Sequence, residues 1–312
     1  WLGTGENVAG RHIGIGHGIY HSLDGGKTWK DMGLKKSEHL SKIIIHPDNS
    51  DIIWVASQGP LWSSGGERGL FKSTDGGKTW KNNLEINQWT GVTDLVIDPT
   101  NPDILYAASW QRHRNVAGLI DGGPGTALYK SKDGGDTWFK INKGLPRSNM
   151  GKIGLAISPI NPTVLYAAIE LDRREGAVYR TSNSGGSWTK MSNTVSGGTG
   201  PHYYQELVAS PHEFDKLYLV DVRVQVSEDG GKTWEVVAQN QNPGYRSCVQ
   251  YVPNSESKGL VAIGFEGIDY SNDAGASWKH LSDEGFYTLR FLNDSIAYAA
   301  GKERLSKLSF RK

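Results

Sequence analysis

The octad Ser73-Thr74-Asp75-Gly76-Gly77-Lys78-Thr79-Trp80 decides how this 312-residue chain is read, because it recurs. Five further segments align with it: SLDGGKTW (Ser22 to Trp29), SKDGGDTW (Ser131 to Trp138), TSNSGGSW (Thr181 to Trp188), SEDGGKTW (Ser227 to Trp234) and SNDAGASW (Ser271 to Trp278). Their tryptophans fall 51, 58, 50, 46 and 44 residues apart. Short alternating stretches such as GLFKS, ALYKS and AVYRT precede the octads. Farther upstream lies a second repeat, KIIIHPDNSDIIWVAS, DLVIDPTNPDILYAAS, GLAISPINPTVLYAAI and ELVASPHEFDKLYLVD. β-Branched and aromatic runs that alternate with polar residues between Pro, Asn, Asp and Gly are strands joined by turns. Each period therefore holds four strands, the repeat of a propeller blade.

Within the octad the glycines supply positive φ, and the Asp carboxylate accepts backbone N–H groups across the turn between third and fourth strands. Asp24, Asp75, Asp133, Asp229 and Asp273, with Asn183 in the fourth repeat, are expected to brace their own turns. Trp29, Trp80, Trp138, Trp188, Trp234 and Trp278 are expected to be largely buried beside them. No segment keeps a 3.6-residue period over three turns without Gly or Pro, so no long helix is expected.

The first repeat starts at WLGTGE, already a second strand. After Trp278 come FYTLRFL, SIAYAAG and RLSKLSF, three strands without an octad. The fold expected is all-β: one β-propeller domain over 1–312 with seven four-stranded blades, the first and last incomplete. The blades span approximately 1–35, 39–84, 92–142, 150–192, 203–238, 246–281 and 286–310. A six-bladed ring closed differently is the alternative. The chain opens at Trp1, so a processed or truncated product is expected.

Composition narrows the functions. Thirty-four Lys and Arg stand against 33 Asp and Glu, a net charge of +1, so no global field favours nucleic acid. No apolar run reaches the ~18–20 residues of a membrane helix. Cys248 is the single cysteine, which excludes an intrachain disulfide and a zinc site built from cysteines. It is read as a small buried hydrophobe on an innermost strand. His12, His17 and His21 are not spaced as a ligand set, and His113 stands between Arg112 and Arg114 without a second ligand. No DxDxDG loop, P-loop or GxGxxG after a strand occurs. Neither metal nor cofactor is expected.

The octads are similar to the Asp-box, or BNR repeat, of sialidases, xyloglucanases, sortilin-type receptors and photosystem II assembly factors. Residues 2–238, through GTGENVAGRHIGIGHGIYHSLDGGKTWKDMGL, HLSKIIIHPDNSDIIWVASQGPLW and GGPGTALYKSKDGGDTW, resemble bacterial proteins with a sortilin-type N-terminal propeller. Residues 244–310, through GFEGIDYSNDAGASWKHLSDEGFYTLRF, resemble photosystem II assembly factor-like propellers. The seam falls near Gln239 to Gly244. The resemblance implies an exported protein, secreted, periplasmic or on a bacterial cell surface.

In such a blade the Asp-boxes sit on one face, and the loops joining strand two to three and blade to blade sit on the other, around the channel. The channel-face loops carry aromatic, arginine and carboxylate residues, a composition suited to recognition. The candidate ligand-binding set is Arg11, Trp62, Arg68, Trp110, Arg112, Arg173, Tyr203, Tyr204, Arg223 and Arg246. Arginines offer bidentate bonds to carboxylates, and aromatic rings offer platforms. The insertion between Trp110 and Gly125, the longest such connection, is expected to overhang the channel with Trp110 and Arg112 facing the ligand.

These features lead to the expectation of a non-catalytic exported propeller that binds a protein, peptide or glycan, with no catalytic residue. One alternative is a glycoside hydrolase of xyloglucanase or sialidase type, for which the channel-face carboxylates are Glu6, Glu67, Glu170, Asp172, Glu206, Asp221 and Glu266. The sialidases' Arg-Ile-Pro stretch before the first box is missing, and the xyloglucanases use two propellers. The other alternative is a structural module of a larger cell-surface assembly.

Overall fold

A computed structural model describes all residues except 173–174, 194–204, 221–223, 238–243, 257 and 311–312; the side chain of Asp172 is also outside the description. Among the described residues every regular element is a strand. Seven antiparallel sheets form the ring, making a seven-bladed β-propeller. Five sheets have four strands. The second runs Leu40–Ile45, Ile53–Ser57, Gly69–Ser73 and Lys81–Leu84. The fourth runs Ile153–Ile157, Leu165–Asp172, Glu175–Thr181 and Thr189–Ser192. The first sheet (Leu2–Gly3, Ile19–His21, Lys30–Asp31) and the last (Thr288–Phe291, Ile296–Gly301, Arg304–Ser309) have three strands. The third blade adds a small hairpin, His113–Arg114 paired with Leu119–Ile120, outside its four-stranded sheet.

The core lies between blades. Trp54, Ala56 and Leu70 of the second blade pack on Leu95, Leu105 and Ala107 of the third. Tyr106, Ala108 and Leu128 of the third pack on Leu155, Ala167 and Tyr179 of the fourth. Apolar faces of twisted sheets are thereby buried against the next blade around the ring.

Each octad makes one recurrent turn. Ser73 Oγ donates to Asp75 Oδ1 at 2.8 Å and accepts the Gly77 amide at 2.8 Å. Asp75 then accepts the Thr79 amide at 2.9 Å and the Thr79 hydroxyl at 2.7 Å. Asp24, Asp133, Asp229 and Asp273 repeat this pattern. In the fourth blade Asn183 Oδ1 accepts the Ser187 amide at 2.9 Å, while its Nδ2 donates to Ser187 Oγ at 3.1 Å, so the hydroxyl's role is reversed.

The second glycine of the box also spaces the blades. Gly135 has φ +83°, and a Cβ there would lie 2.7 Å from Trp54 Nε1 of the preceding blade. A Cβ on Gly26 of the first blade would meet Leu305 of the last at 2.4 Å, so the same contact closes the ring. The tryptophans differ from the expectation of burial. Trp188 is buried, but Trp29, Trp80, Trp138, Trp234 and Trp278 are half-buried. The turns stand at the outer rim, where one ring face meets the neighbouring blade and the other meets water. Their indole N–H groups are used: Trp80 donates to Met32 O at 2.7 Å and Trp188 to Ile141 O at 2.8 Å, each reaching the preceding blade.

Candidate functional site

Adjacent strands run antiparallel, so the loops between second and third strands emerge opposite the boxes. In the first blade this loop, residues 4–18, crosses to its neighbours instead of projecting outward. The Lys152 ammonium donates to the Asn7 carbonyl at 2.9 Å. Arg112 donates to the Val8 carbonyl, and Arg114 to the Ala9 carbonyl at 2.8 Å. Three successive carbonyls of one strap are thus taken by three cations from the third and fourth blades. Ala9 packs with Leu61 and Trp110, and the Arg112 guanidinium lies 5.1 Å from the Trp110 ring. The Asn7 side chain donates to Glu206 Oε1 at 3.2 Å and accepts from Gln58 Nε2. The strap therefore ties the first blade to the second, third, fourth and fifth.

This geometry corrects part of the expected ligand set. Trp110 and Arg112 do not face a ligand; both are fully buried. Arg112 also donates to Gly59 O at 3.1 Å, and burial pushes its guanidinium down to about 9. Arg68 is buried among backbone carbonyls, donating to Gly65 O and Gln58 O at 2.7 Å each, and folds the 58–65 loop onto itself. Arg246 is buried against Asp269. These cations are used up by carbonyls and a carboxylate of their own chain, since a buried charge must find partners. Arg11 is exposed and Trp62 is 42% exposed. Arg173, Tyr203, Tyr204 and Arg223 lie outside the described residues. The Trp110–Gly125 insertion is a packed part of the mouth, with Arg114 holding the strap and Gly123 donating to Met150 O at 3.2 Å.

Beside the strap sits a carboxyl pair. Asp121, from the insertion, and Glu170, at the end of the second strand of blade four, are hydrogen-bonded to one another. Burial lifts both above the ordinary carboxylate range. For Glu170 the neighbouring Asp121 adds to the rise, while Arg112, Lys152 and Arg114 pull Asp121 only partly back. Two carboxyls in such contact hold one proton between them. Glu170 Oε2 also accepts the Lys152 amide at 3.2 Å. Gly151 is enclosed by the pair: a Cβ there would stand 2.4 Å from Glu170 Oε2.

Within the channel, Glu206 has the opposite state. Burial opposes its charge, but Lys152, Lys42 and Arg290 outweigh that and hold it below its ordinary value. Lys42 is paired with Asp94 at 3.2 Å. An open hollow of about 550 Å³ adjoins the carboxyl pair through Met150 and is lined by Gly123, Pro124, Asn142, Lys143, Arg147 and Met150. Among the described residues no three His, Cys, Asp or Glu gather as a metal site, and no helix is long and apolar enough to cross a membrane.

Glu170 and Glu206 were legible as channel-face carboxylates from their loop positions. Asp121, Lys152, Lys42 and Asp94 were missed. Asp121 sits among glycines in DGGPG and reads as a turn residue, while the lysines and Asp94 interrupt innermost-strand runs without a motif.

Residues 17–152 match the family model for Sortilin-Vps10, described as sortilin, neurotensin receptor 3. A xyloglucanase of Paenibacillus sp is 27% identical over 307 residues, covering 84% of this chain and 27% of that protein. The chain thus spans about a quarter of the length of that relative. Among solved structures, an ancestral GH74 enzyme superposes with a TM-score of 0.61 at 14% identity, over 86% of this chain and 36% of that one. YCF48 bound to D1 peptide superposes with a TM-score of 0.59 at 16% identity, over 98% of this chain and 92% of that one. The resemblances to sortilin-type and photosystem II assembly-factor propellers both hold. The expectation of a non-catalytic binding propeller is corrected by curated relatives that are xyloglucanases.

Proposed function

We propose that this propeller acts on a polysaccharide as a glycoside-hydrolase module, with a β-linked glucan of the xyloglucan class as its substrate. The observation that carries the reading is the xyloglucanase relative matched along 84% of the chain. The carboxyl pair supplies chemistry suited to it. Glycoside hydrolysis needs an acid that protonates the leaving oxygen and a carboxylate that assists attack at the anomeric carbon. Glu170, the buried member, holds the shared proton at neutral pH in its hydrogen bond to the half-buried Asp121. The pair is in direct contact, closer than the ~5–9.5 Å that separates two catalytic carboxylates, so it works as one acid. Glu206, held ionised across Lys152, is the carboxylate of opposite state; acid and base roles follow from environments that push such groups apart.

The test is release of new reducing ends from xyloglucan by the purified protein. Activity that falls at least a hundredfold in Asp121→Asn and in Glu206→Gln supports the reading, general acid catalysis contributing roughly 10²–10⁴. No product from any β-glucan sinks it.

A polypeptide segment is a second partner for the same face. The near-complete coverage of the peptide-bound YCF48 structure favours it, and a peptide array on the purified protein tests it. The extracytoplasmic address expected from the resemblance belongs to the same proposal, and cell fractionation checks it.

A further inference from the structure

The sixth and seventh blades carry, on the channel face, a group of aromatic rings that the carboxyl site does not use. Tyr245 precedes the innermost strand Cys248–Tyr251. Phe265 stands at the apex of the two-residue turn closed by the Gly264–Gly267 pair. Tyr287 precedes the strand Thr288–Phe291. The Tyr245 and Phe265 rings are nearly parallel, with centroids 5.9 Å apart and planes at 18°. Tyr287 meets Phe265 edge-on at 5.1 Å and 81°. The three rings form a corner with two walls.

This corner is both rigid and open. The Tyr287 amide donates to Ala300 O at 2.7 Å, and its carbonyl accepts Ser247 Oγ at 2.8 Å. The Tyr245 carbonyl accepts from Arg246, which is itself anchored on Asp269. The Phe286 amide donates to Gly264 O at 3.0 Å, tying the Phe265 turn to the next blade. Yet Phe265 is 54% exposed and Tyr287 38%. A phenylalanine at a turn apex gains little from folding there, because more than half of its surface stays in water. Polar groups border the rings. The Glu266 side chain is 70% exposed, and Arg304 and Glu284 are paired at 3.3 Å with both side chains open to solvent.

We propose that this corner is a saccharide subsite that takes a pyranose unit of a neutral β-linked glucan. The proposal rests on the glycan reading above for its choice of ligand. A pyranose presents an apolar C–H face and a rim of hydroxyls. The ring faces of Phe265 and Tyr287 take the first by apolar contact, and Glu266, Glu284 and Arg304 take the second by hydrogen bonding. The mixed charges of that rim suit neutral hydroxyls better than an acidic sugar. The corner belongs to blades six and seven while the carboxyl pair belongs to three and four, so a chain engaging both passes across the channel mouth.

The test is native electrophoresis of the whole protein in gels containing xyloglucan, with product release from xyloglucan oligosaccharides measured in parallel. The proteins compared are wild type, Phe265→Ala/Tyr287→Ala, Phe265→Trp and Asp121→Asn. Wild type should be retarded, and Asp121→Asn should lose product release. The double variant should lose about tenfold or more in affinity, roughly 1.4 kcal/mol, with an unchanged melting temperature, and Phe265→Trp should retain binding. Equal retardation of the double variant and wild type overturns the subsite, as does wild type that no glucan retards. Binding lost in the double variant with no cleavage by any protein keeps the subsite and rejects the hydrolase reading. Cleavage with an unchanged KM in the double variant does the reverse.

Discussion

Lys152 and Asn7 lie 145 positions apart in the chain, yet the Lys152 ammonium donates to the Asn7 carbonyl at 2.9 Å. Arg112 and Arg114 take the next two carbonyls in turn. A strap from the first blade is thereby held across the channel mouth, and cations that look like ligand anchors hold the fold together.

Arg112→Ala removes the donor to Val8 O and Gly59 O and leaves both acceptors in a dry site. We expect a loss of about 3 kcal/mol, since buried bonds to charged donors are worth roughly 1.5–3 kcal/mol each. Arg11→Ala, on the exposed part of the same strap, should change stability by less than about 0.5 kcal/mol. Urea unfolding of the two variants separates a structural Arg112 from a surface one. Deleting residues 114–122 removes the Ala9 grip and Asp121 together, and circular dichroism should report a protein that no longer folds cooperatively.

The carboxyl pair makes stability depend on pH in a definite direction. An unfolded chain releases these protons near pH ~4, whereas the folded chain keeps one of them to a higher pH. Folding thus takes up a proton from about pH 4 toward neutrality, and the stability it confers fades as pH rises through that window. Asp121→Asn should flatten the decline between about pH 5 and 8. A pH series of melting temperatures that is parallel for wild type and variant would contradict the shared proton.

The box aspartates act in the other direction. The Thr28 hydroxyl and amide hold Asp24 down to about 2, and Thr79 and Thr137 do the same for Asp75 and Asp133. Their contribution is present above the unfolded carboxylate range and is lost as pH falls toward 2. Asn183 occupies the same place without a charge. Asp75→Asn should therefore remove part of the acid sensitivity while lowering the melting temperature less than Asp75→Ala does.

Trp188 is buried and its indole donates to the preceding blade. Trp188→Ala should cost about 3–5 kcal/mol, as deletion of a buried ring does. Trp29→Ala should cost clearly less, because its ring is half-buried and its indole bonds within its own turn, to Gly26 O at 3.1 Å. Chemical denaturation of the pair gives the ranking, and equal losses would mean that inter-blade packing is not what sets it.

Much of this molecule is local, and the sequence alone determines it. The octad Ser-x-Asp-Gly-Gly-x-Thr-Trp encodes a turn whose donors and acceptors lie within seven residues of one another, so Asp75 and Thr79 find each other in any blade. The alternation around each octad sets the strands, and the strand tally around six boxes already called for seven blades with short first and last ones. The mouth was a matter of tertiary structure. Trp110, Arg112 and Arg246 have the composition of a binding surface, and only the path of residues 7–9 and the position of Asp269 turn them into buried partners. Asp121 and Glu170 are 49 residues apart on different blades, and nothing in either neighbourhood marks them as a pair. Turn chemistry acts over a few bonds and repeats with the sequence; the protonation of a carboxyl depends on what the closed ring places beside it, and on how much water it leaves there.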